Sequence, residues 1–221
     1  MPEAVILSGA GPYSDPAHPF AETSQCLARL AAKNGWAAVV TEDIDAVMAE
    51  GLDGVDLIIV NAGAGEAGAG PHTPPEASTA GFGRALDRGI SLLAMHCAIR
   101  SLPGYPRYHE ALGGEWVPGR SWHAPVGELL VRPLHDAIVE GLCDFHVTDE
   151  RLGGLRTSRG IEALAATAAD DQVVAWAHRL GPARVVYSGL GHDARSYESA
   201  GHKSFLGRAL CWLQPLDVFG D

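Results

Sequence analysis

Five places in the sequence set an ionisable side chain where it could do chemistry: His18 in "AHPF", His96 in "LLAMHCAIRSL", His123 in "SWHAP", the adjacent Asp149 and Glu150 in "VTDERL", and His192 in "SGLGHD". An imidazole titrates near neutral pH, so it can give or take a proton, and its neutral ring nitrogen is a ligand for zinc and similar metals. Two or three histidines with one carboxylate make an open metal site that keeps a position for water or substrate. His96, His123 and His192 are the candidate ligands for a divalent metal such as zinc; with Glu150 they are also the candidate catalytic groups. The sequence has no His-x-x-x-His pair or other tight ligand spacing, so only the fold could assemble such a site. His72, His109, His135, His146, His178 and His202 read as ordinary surface or core residues.

These residues need strand ends to hold them. His96 follows the apolar stretch Ile90–Met95 and His192 follows Arg184–Ser188, both read as buried strands. His96 and Cys97 therefore fall on a strand-to-helix turn, which projects one side chain above the sheet while the following N–H groups face an incoming oxyanion. Asp149 and Glu150 end a further strand, where neighbouring side chains point to opposite faces, so only one carboxylate can face a given site. Glu150 is the candidate for catalysis; Asp149, with His18, is assigned to substrate contact.

The other strand candidates in the first half are Ala4–Ser8, Ala37–Thr41 and Val55–Asn61. Their unbroken apolarity suits strands covered on both faces, as in a parallel sheet. Between the first two, Cys26, Leu27, Leu30 and Ala31 share one helical face that stops at Asn34-Gly35, which makes a right-handed βαβ unit. Gly63–Pro75, "GAGEAGAGPHTPP", reads as a loop at a strand's carboxyl end, either a connector or a lid. From Gly113 onward the strands 125–131, 144–148, 161–167, 173–178 and 184–188 succeed one another with little helix, which predicts an antiparallel extension. A closing helix carries Phe205, Leu206, Ala209, Leu210 and Leu213 on one stripe. The expected whole is one three-layer α/β/α domain over residues 1–221.

Acidic residues outnumber basic ones by 27 to 16 in the 221 residues, with no Lys/Arg cluster, so nucleic acid is not an expected partner. No apolar run approaches a membrane span and the amino terminus lacks the layout of a secretory signal. The four cysteines form no Cys-x-x-Cys pair, which fits a reducing compartment, the cytoplasm.

The motifs "LLAMHCA", "YHEALGGEW" followed by His123, "HDAIVEGLCDFHVTDE" and "VAWAHRLGPARVVYSGLGHD" resemble, in that order, those of the ThuA-like (trehalose-utilisation) family, and the resemblance runs from Ser8 to Trp212. It implies the flavodoxin-like fold of class I glutamine amidotransferases. Those enzymes carry Gly-x-Cys-x-Gly at the turn; the matching register here is Ala94-Met95-His96-Cys97-Ala98, which gives the projecting position to His96. The resemblance also matches His192 to the family's Gly-His, His123 to the histidine after its Gly-Gly segment, Glu150 to the end of its Asp-Glu motif, and His18 to the histidine of its amino-terminal loop. Arg151-Leu152 departs from a pattern in which an aromatic often follows the Asp-Glu pair.

The expected function is an enzyme acting on a sugar or keto-sugar derivative, by isomerisation or glycosidic cleavage, with a small sugar derivative as its partner. A non-catalytic sugar-binding or regulatory protein on the same scaffold is the alternative, and a Cys97 hydrolase or amidotransferase the third. A homo-oligomer stays open.

Overall fold

The computed structural model describes residues 1–50, 52–65 and 72–215. Strands β1 (Glu3–Ser8), β2 (Ala37–Thr41), β3 (Leu57–Asn61) and β4 (Ser91–Met95) alternate with helices α1 (Phe20–Lys33), α2 (Ile44–Glu50) and α3 (Glu76–Arg88). A 3₁₀ turn over His96–Arg100 and helix α4 (Pro106–Leu112) follow. Then come β5 (Gly114–Glu115), β6 (Trp122–His123), β7 (Gly127–Pro133), β8 (Phe145–Asp149), β9 (Leu152–Gly153), β10 (Arg156–Thr157), β11 (Glu162–Thr167), β12 (Val173–Leu180) and β13 (Ala183–Ser188). A further 3₁₀ turn, Ala194–Glu198, leads into helix α5 (Ala200–Trp212).

Nine strands form one sheet in the order β2-β1-β3-β4-β13-β12-β11-β7-β8. The first five are parallel and the remaining pairings antiparallel, as the change in sequence character at Gly113 predicts. Strands β1, β3, β4 and β13 are buried on both faces, whereas β2, expected to be covered likewise, is the edge strand and leaves Val39 66 % exposed. Ile6, Ile59, Leu93 and Val186 are neighbours in register and meet α1 and α5, whereas Val5, Ile58, Leu92 and Val185 meet α2, α3 and α4. This is the expected three-layer α/β/α arrangement. Helix α1 stops where Gly35 takes φ +83, and α5 buries Phe205, Leu206, Ala209, Leu210 and Leu213. The cysteines are less buried than their apolar contexts suggest: Cys143 and Cys211 are exposed and Cys26 and Cys97 half-buried. The middle of the expected loop 63–75, residues 66–71, lies outside the described residues.

Two features place the site. The chain leaves β1 for β2 on one side and β3 on the other, so a crevice opens at the carboxyl ends of β1, β3 and β4. The antiparallel half then curls over it. Four strand spacings separate β13 from β8, roughly 19 Å on a flat sheet, yet the Asp149 carboxyl group that ends β8 accepts from Gly191 N at 2.8 Å, just past β13. Register irregularities in β11 between Ala163 and Ala166 supply the bend.

The rim of the crevice is tied by Asp45 at the start of α2. Its Oδ1 accepts from Tyr13 Oη at 2.6 Å and Tyr105 Oη at 2.5 Å, and its Oδ2 lies 2.7 Å from His72 Nε2. Burial acts to raise the Asp45 pKa, but the two hydroxyls and His72 outweigh it and hold the carboxyl below its ordinary range. A depressed folded pKa contributes stability that is present above the unfolded pKa and lost as pH falls through the folded one. We therefore expect Asp45→Ala to lower the unfolding free energy by about 2–3 kcal/mol near neutral pH and the gap from wild type to shrink below the ordinary carboxylate pKa; urea unfolding at several pH values checks this, and a gap under about 0.5 kcal/mol refutes it.

Candidate functional site

The turn after β4 answers which residue projects. His96 adopts φ +47, a left-handed conformation that is unusual for a side chain with a Cβ and that the surroundings must enforce. They do so through several contacts. His96 Nδ1–H donates to Gly189 O at 2.8 Å, Tyr187 Oη donates to His96 O at 2.9 Å, and Tyr108 Oη donates to Ala98 O at 2.7 Å. Because a carbonyl can only accept, Nδ1 carries the proton, and in the neutral ring Nε2 is left with a lone pair aimed into the crevice.

Cys97 takes the next position and turns sideways. Its thiol donates to Ala62 O at 3.4 Å, and burial pushes its pKa well above the ordinary value, the opposite of what activates a nucleophilic cysteine. It still contributes surface to the cavity.

Around His96 the fold brings together four of the expected residues. The ring centroids of His18 and His96 are 5.1 Å apart, those of His18 and His192 4.7 Å, and those of His96 and His192 5.4 Å. Glu150 closes the group, with Oε2 3.3 Å from His96 Nε2 and 3.9 Å from His192 Nδ1. One ligand atom from each of His18, His96, Glu150 and His192 lies within 4.8 Å of the other three. His18, His96, Glu150 and His123 line a cavity of about 260 Å³ whose lining also includes Asp15, Arg100, Trp116 and Leu152.

The composition of the group differs from the expected ligand set in two places. His123 is outside it: its side chain is 56 % exposed and its Nδ1 lies 2.7 Å from Glu150 Oε1, so it braces the carboxylate from the solvent side. The cause is local. β6 pairs with β9, setting His123 opposite Leu152, and Trp122 packs flat on Gly153, where a Cβ would lie 2.3 Å from the indole. Arg151, which stands where the family often has an aromatic, stacks on that indole at 4.8 Å. His18 takes the vacated place: it stacks on Phe20 at 5.7 Å, and Asp15 Oδ2 lies 3.2 Å from its Nδ1.

Asp149 also departs from expectation. Instead of facing a substrate it is buried, and its oxygens accept from Gly191 N, His192 N and Ser196 Oγ at 2.8, 3.2 and 2.5 Å. Its acceptor capacity is spent on the turn that carries His192. Alternation along β8 sends Asp149 inward and leaves Glu150 facing the crevice.

The electrostatics of the group are those of one anion among imidazoles. Burial acts to raise the Glu150 pKa, but His96, His123 and His192 outweigh it and hold the carboxyl at about 2. For His18, burial and then the neighbouring His96 push the pKa down against the pull of Asp15. For His96, burial pushes down, and Glu150, Asp149 and the Gly189 carbonyl together bring the net shift upward. Glu150 thus holds either a proton on His96 Nε2 or another cation in its place. Four buried ring nitrogens here, His18 Nδ1 and Nε2, His96 Nε2 and His192 Nδ1, make no well-formed hydrogen bond; His18 Nδ1 and His96 Nε2 still face carboxylate oxygens at 3.2 and 3.3 Å, so the cost of about 1–3 kcal/mol for an unmet polar atom falls on His18 Nε2 and His192 Nδ1. Three nitrogens and a carboxylate oxygen with unspent lone pairs suit a divalent metal with an open position.

Sequence reasoning missed Arg100 and Trp116 in the lining. The signal for Arg100 was its place in the same turn as His96, and for Trp116 its place in the "GGEW" motif. It also missed Asn61, whose Nδ2 donates to Thr23 Oγ1 at 2.8 Å and Ser24 Oγ at 2.9 Å and so anchors α1 to the end of β3.

Two outcomes follow from this geometry. Alkylation by iodoacetamide, followed by peptide mass spectrometry, should modify exposed Cys143 and Cys211 at least about tenfold faster than Cys97; equal or faster labelling of Cys97 would revive it as a nucleophile. Asp149→Asn, which sets an amide NH₂ against donors, should lower the unfolding free energy by about 2–4 kcal/mol. A change below about 0.5 kcal/mol in a urea titration would show that Asp149 does not hold the turn.

A family model described as "ThuA: Trehalose utilisation" matches residues 5–213. Among solved structures, a ThuA-like protein from Parabacteroides merdae superposes with a TM-score of 0.77 at 15% identity, covering 96% of this chain and 90% of that one. One from Bacteroides uniformis gives 0.73 at 16% identity, over 96% and 91%. PurLQS from Thermotoga maritima gives 0.57 at 13% identity, over 96% and 99%, and shares the fold. A search of the curated proteins found no match. With the family model covering nearly the whole chain, the protein belongs to the ThuA family, linked to trehalose utilisation.

Proposed function

We propose that the protein is an enzyme that transforms a sugar or keto-sugar derivative by enolisation next to a carbonyl, at a divalent metal held by His18, His96, His192 and Glu150. The observation that carries this reading is the convergence of four ligand atoms within 4.8 Å, with unmet nitrogens, at the floor of a cavity able to take a small molecule. A bound divalent metal would act as a Lewis acid on the substrate's carbonyl oxygen. His123 stands at the mouth of the same cavity, and with its Nδ1–H donated to Glu150 Oε1 the neutral ring keeps Nε2 unprotonated, ready to take a carbon-bound proton. Glu150 would serve twice, as a ligand through Oε2 and as the group orienting that base through Oε1. Family membership supports a sugar derivative as the partner. The four free cysteines support a cytoplasmic setting.

Metal analysis of the purified protein tests the site, and solvent deuterium exchange into a panel of keto-sugars, followed by NMR, tests the reaction. Near-stoichiometric divalent metal is expected, reduced at least about tenfold in His96→Ala and His192→Ala. His123→Ala should retain the metal while slowing exchange by about a hundredfold or more. Protein that binds no divalent metal at micromolar concentration, or exchange that persists unchanged in a chelator, would overturn the metal reading. The absence of exchange with every keto-sugar would overturn the enolisation.

A further inference from the structure

The lining of the same cavity carries a further cation that no carboxylate pairs among the described residues. Arg100 ends the turn that begins at His96, and its guanidinium lies 5.4 Å from the centroid of the Trp116 ring, over its face. Both side chains line the cavity. The two carboxylates in that lining are engaged elsewhere: Asp15 accepts from Ala17 N at 3.0 Å and lies against His18, and Glu150 is enclosed by His96, His123 and His192. Among the described residues no carboxylate lies within 4 Å of Arg100, whereas the lining's other charges are all paired.

Stacking matters here because it restricts the long arginine side chain before any ligand arrives. A guanidinium held on an indole keeps its planar fork of N–H donors in one orientation, which lowers the entropy cost of docking a bidentate acceptor. Such a fork matches a carboxylate or phosphate, and charge-assisted bonds of this kind are about twice as strong as neutral ones. The chain as a whole carries a net charge of −11 and repels anions at long range, so an anionic ligand would need a local receptor inside the cavity.

We propose that Arg100, braced on Trp116, receives an anionic group of the substrate, so that the sugar derivative handled here is an acidic one, bearing a carboxylate or a phosphate. The proposal rests on the sugar-derivative reading above and narrows it. Arg100 binds the anion and fixes which end of the sugar enters first; it takes no part in the proton transfer.

Calorimetric titration of the purified full-length protein with matched sugars tests this: glucose, glucuronate and glucose 6-phosphate, and galactose with galacturonate. The wild type should bind at least one acidic sugar about tenfold more tightly than its neutral counterpart, and the tighter of the uronate and phosphate arms identifies the group. Arg100→Gln, an exposed substitution, should reduce that ratio to within about threefold, and raising the salt concentration should reduce it in the wild type. Equal binding of acidic and neutral sugars by the wild type would overturn the acidic substrate while leaving the sugar reading intact. A preference that survives Arg100→Gln would overturn the role of Arg100. Failure to bind any of the sugars would overturn this proposal together with the sugar-derivative reading, whereas the metal content of the same sample reports separately on the histidine cluster.

Discussion

The Asp149 carboxyl group is the tie on which the site depends. It ends β8 at the far edge of the sheet and accepts from two backbone N–H groups and a hydroxyl on the turn after β13, so it joins strands that the sheet order keeps apart. Apolar packing of Phe145 and Val147 in the core shared with Phe205 and Leu206 supports the same closure, and the Asp149 tie fixes where Glu150 meets the turn of His192. Burying a carboxyl group is costly unless its oxygens are satisfied, and here the donors that satisfy it belong to the segment that must be positioned. His202, also buried, backs the arrangement, its Nδ1 3.0 Å from both Ser196 Oγ and Ser196 O. Adjacent residues thus part by the alternation of a strand: Asp149 inward to the tie, Glu150 outward to the crevice and its imidazoles.

The imidazole cluster shows a similar economy. A ring buried to the extent of His96, at 1 % exposure, would ordinarily be neutral, and one beside a carboxylate would ordinarily be charged. At His96 the second tendency wins, and among the described residues Glu150 is the anion that meets His96, His123 and His192 together. Positive φ at His96 and the carbonyl clamp at Gly189 orient the one ring that touches Glu150 from below.

Much of the architecture was legible in the sequence because the parallel strands are covered on both faces and so read as unbroken apolar runs; Ile58-Ile59-Val60 and Leu92-Leu93-Ala94 show nothing else. The stripe on α5 was legible for the same reason, a direct relation between burial and residue type, and the stop at Asn34-Gly35 because glycine alone takes the positive φ there without strain. The two-residue strands β5, β6, β9 and β10 were not, since a pair of residues has no period. The exchange of His123 for His18 in the cluster was hidden too. It depends on the pairing of β6 with β9 and on Trp122 packing on Gly153, contacts between segments about thirty residues apart that leave no pattern along the sequence. The alternation rule could say that only one of Asp149 and Glu150 faces the crevice, but not that the other would serve as the tie.

The curl of the antiparallel half also joins, at the cluster, segments far apart in the chain. His18 and His96 come from the parallel half, Glu150 from the curled one, and His192 from the turn that only the finished sheet can hold. No hairpin, βαβ unit or other fragment owns more than one of these four residues, so the cluster has the high contact order of the sheet's slowest closure. An unfolded chain holds these four residues apart, so an ion that prefers the cluster would bind the folded form over the unfolded one and stabilise it by mass action.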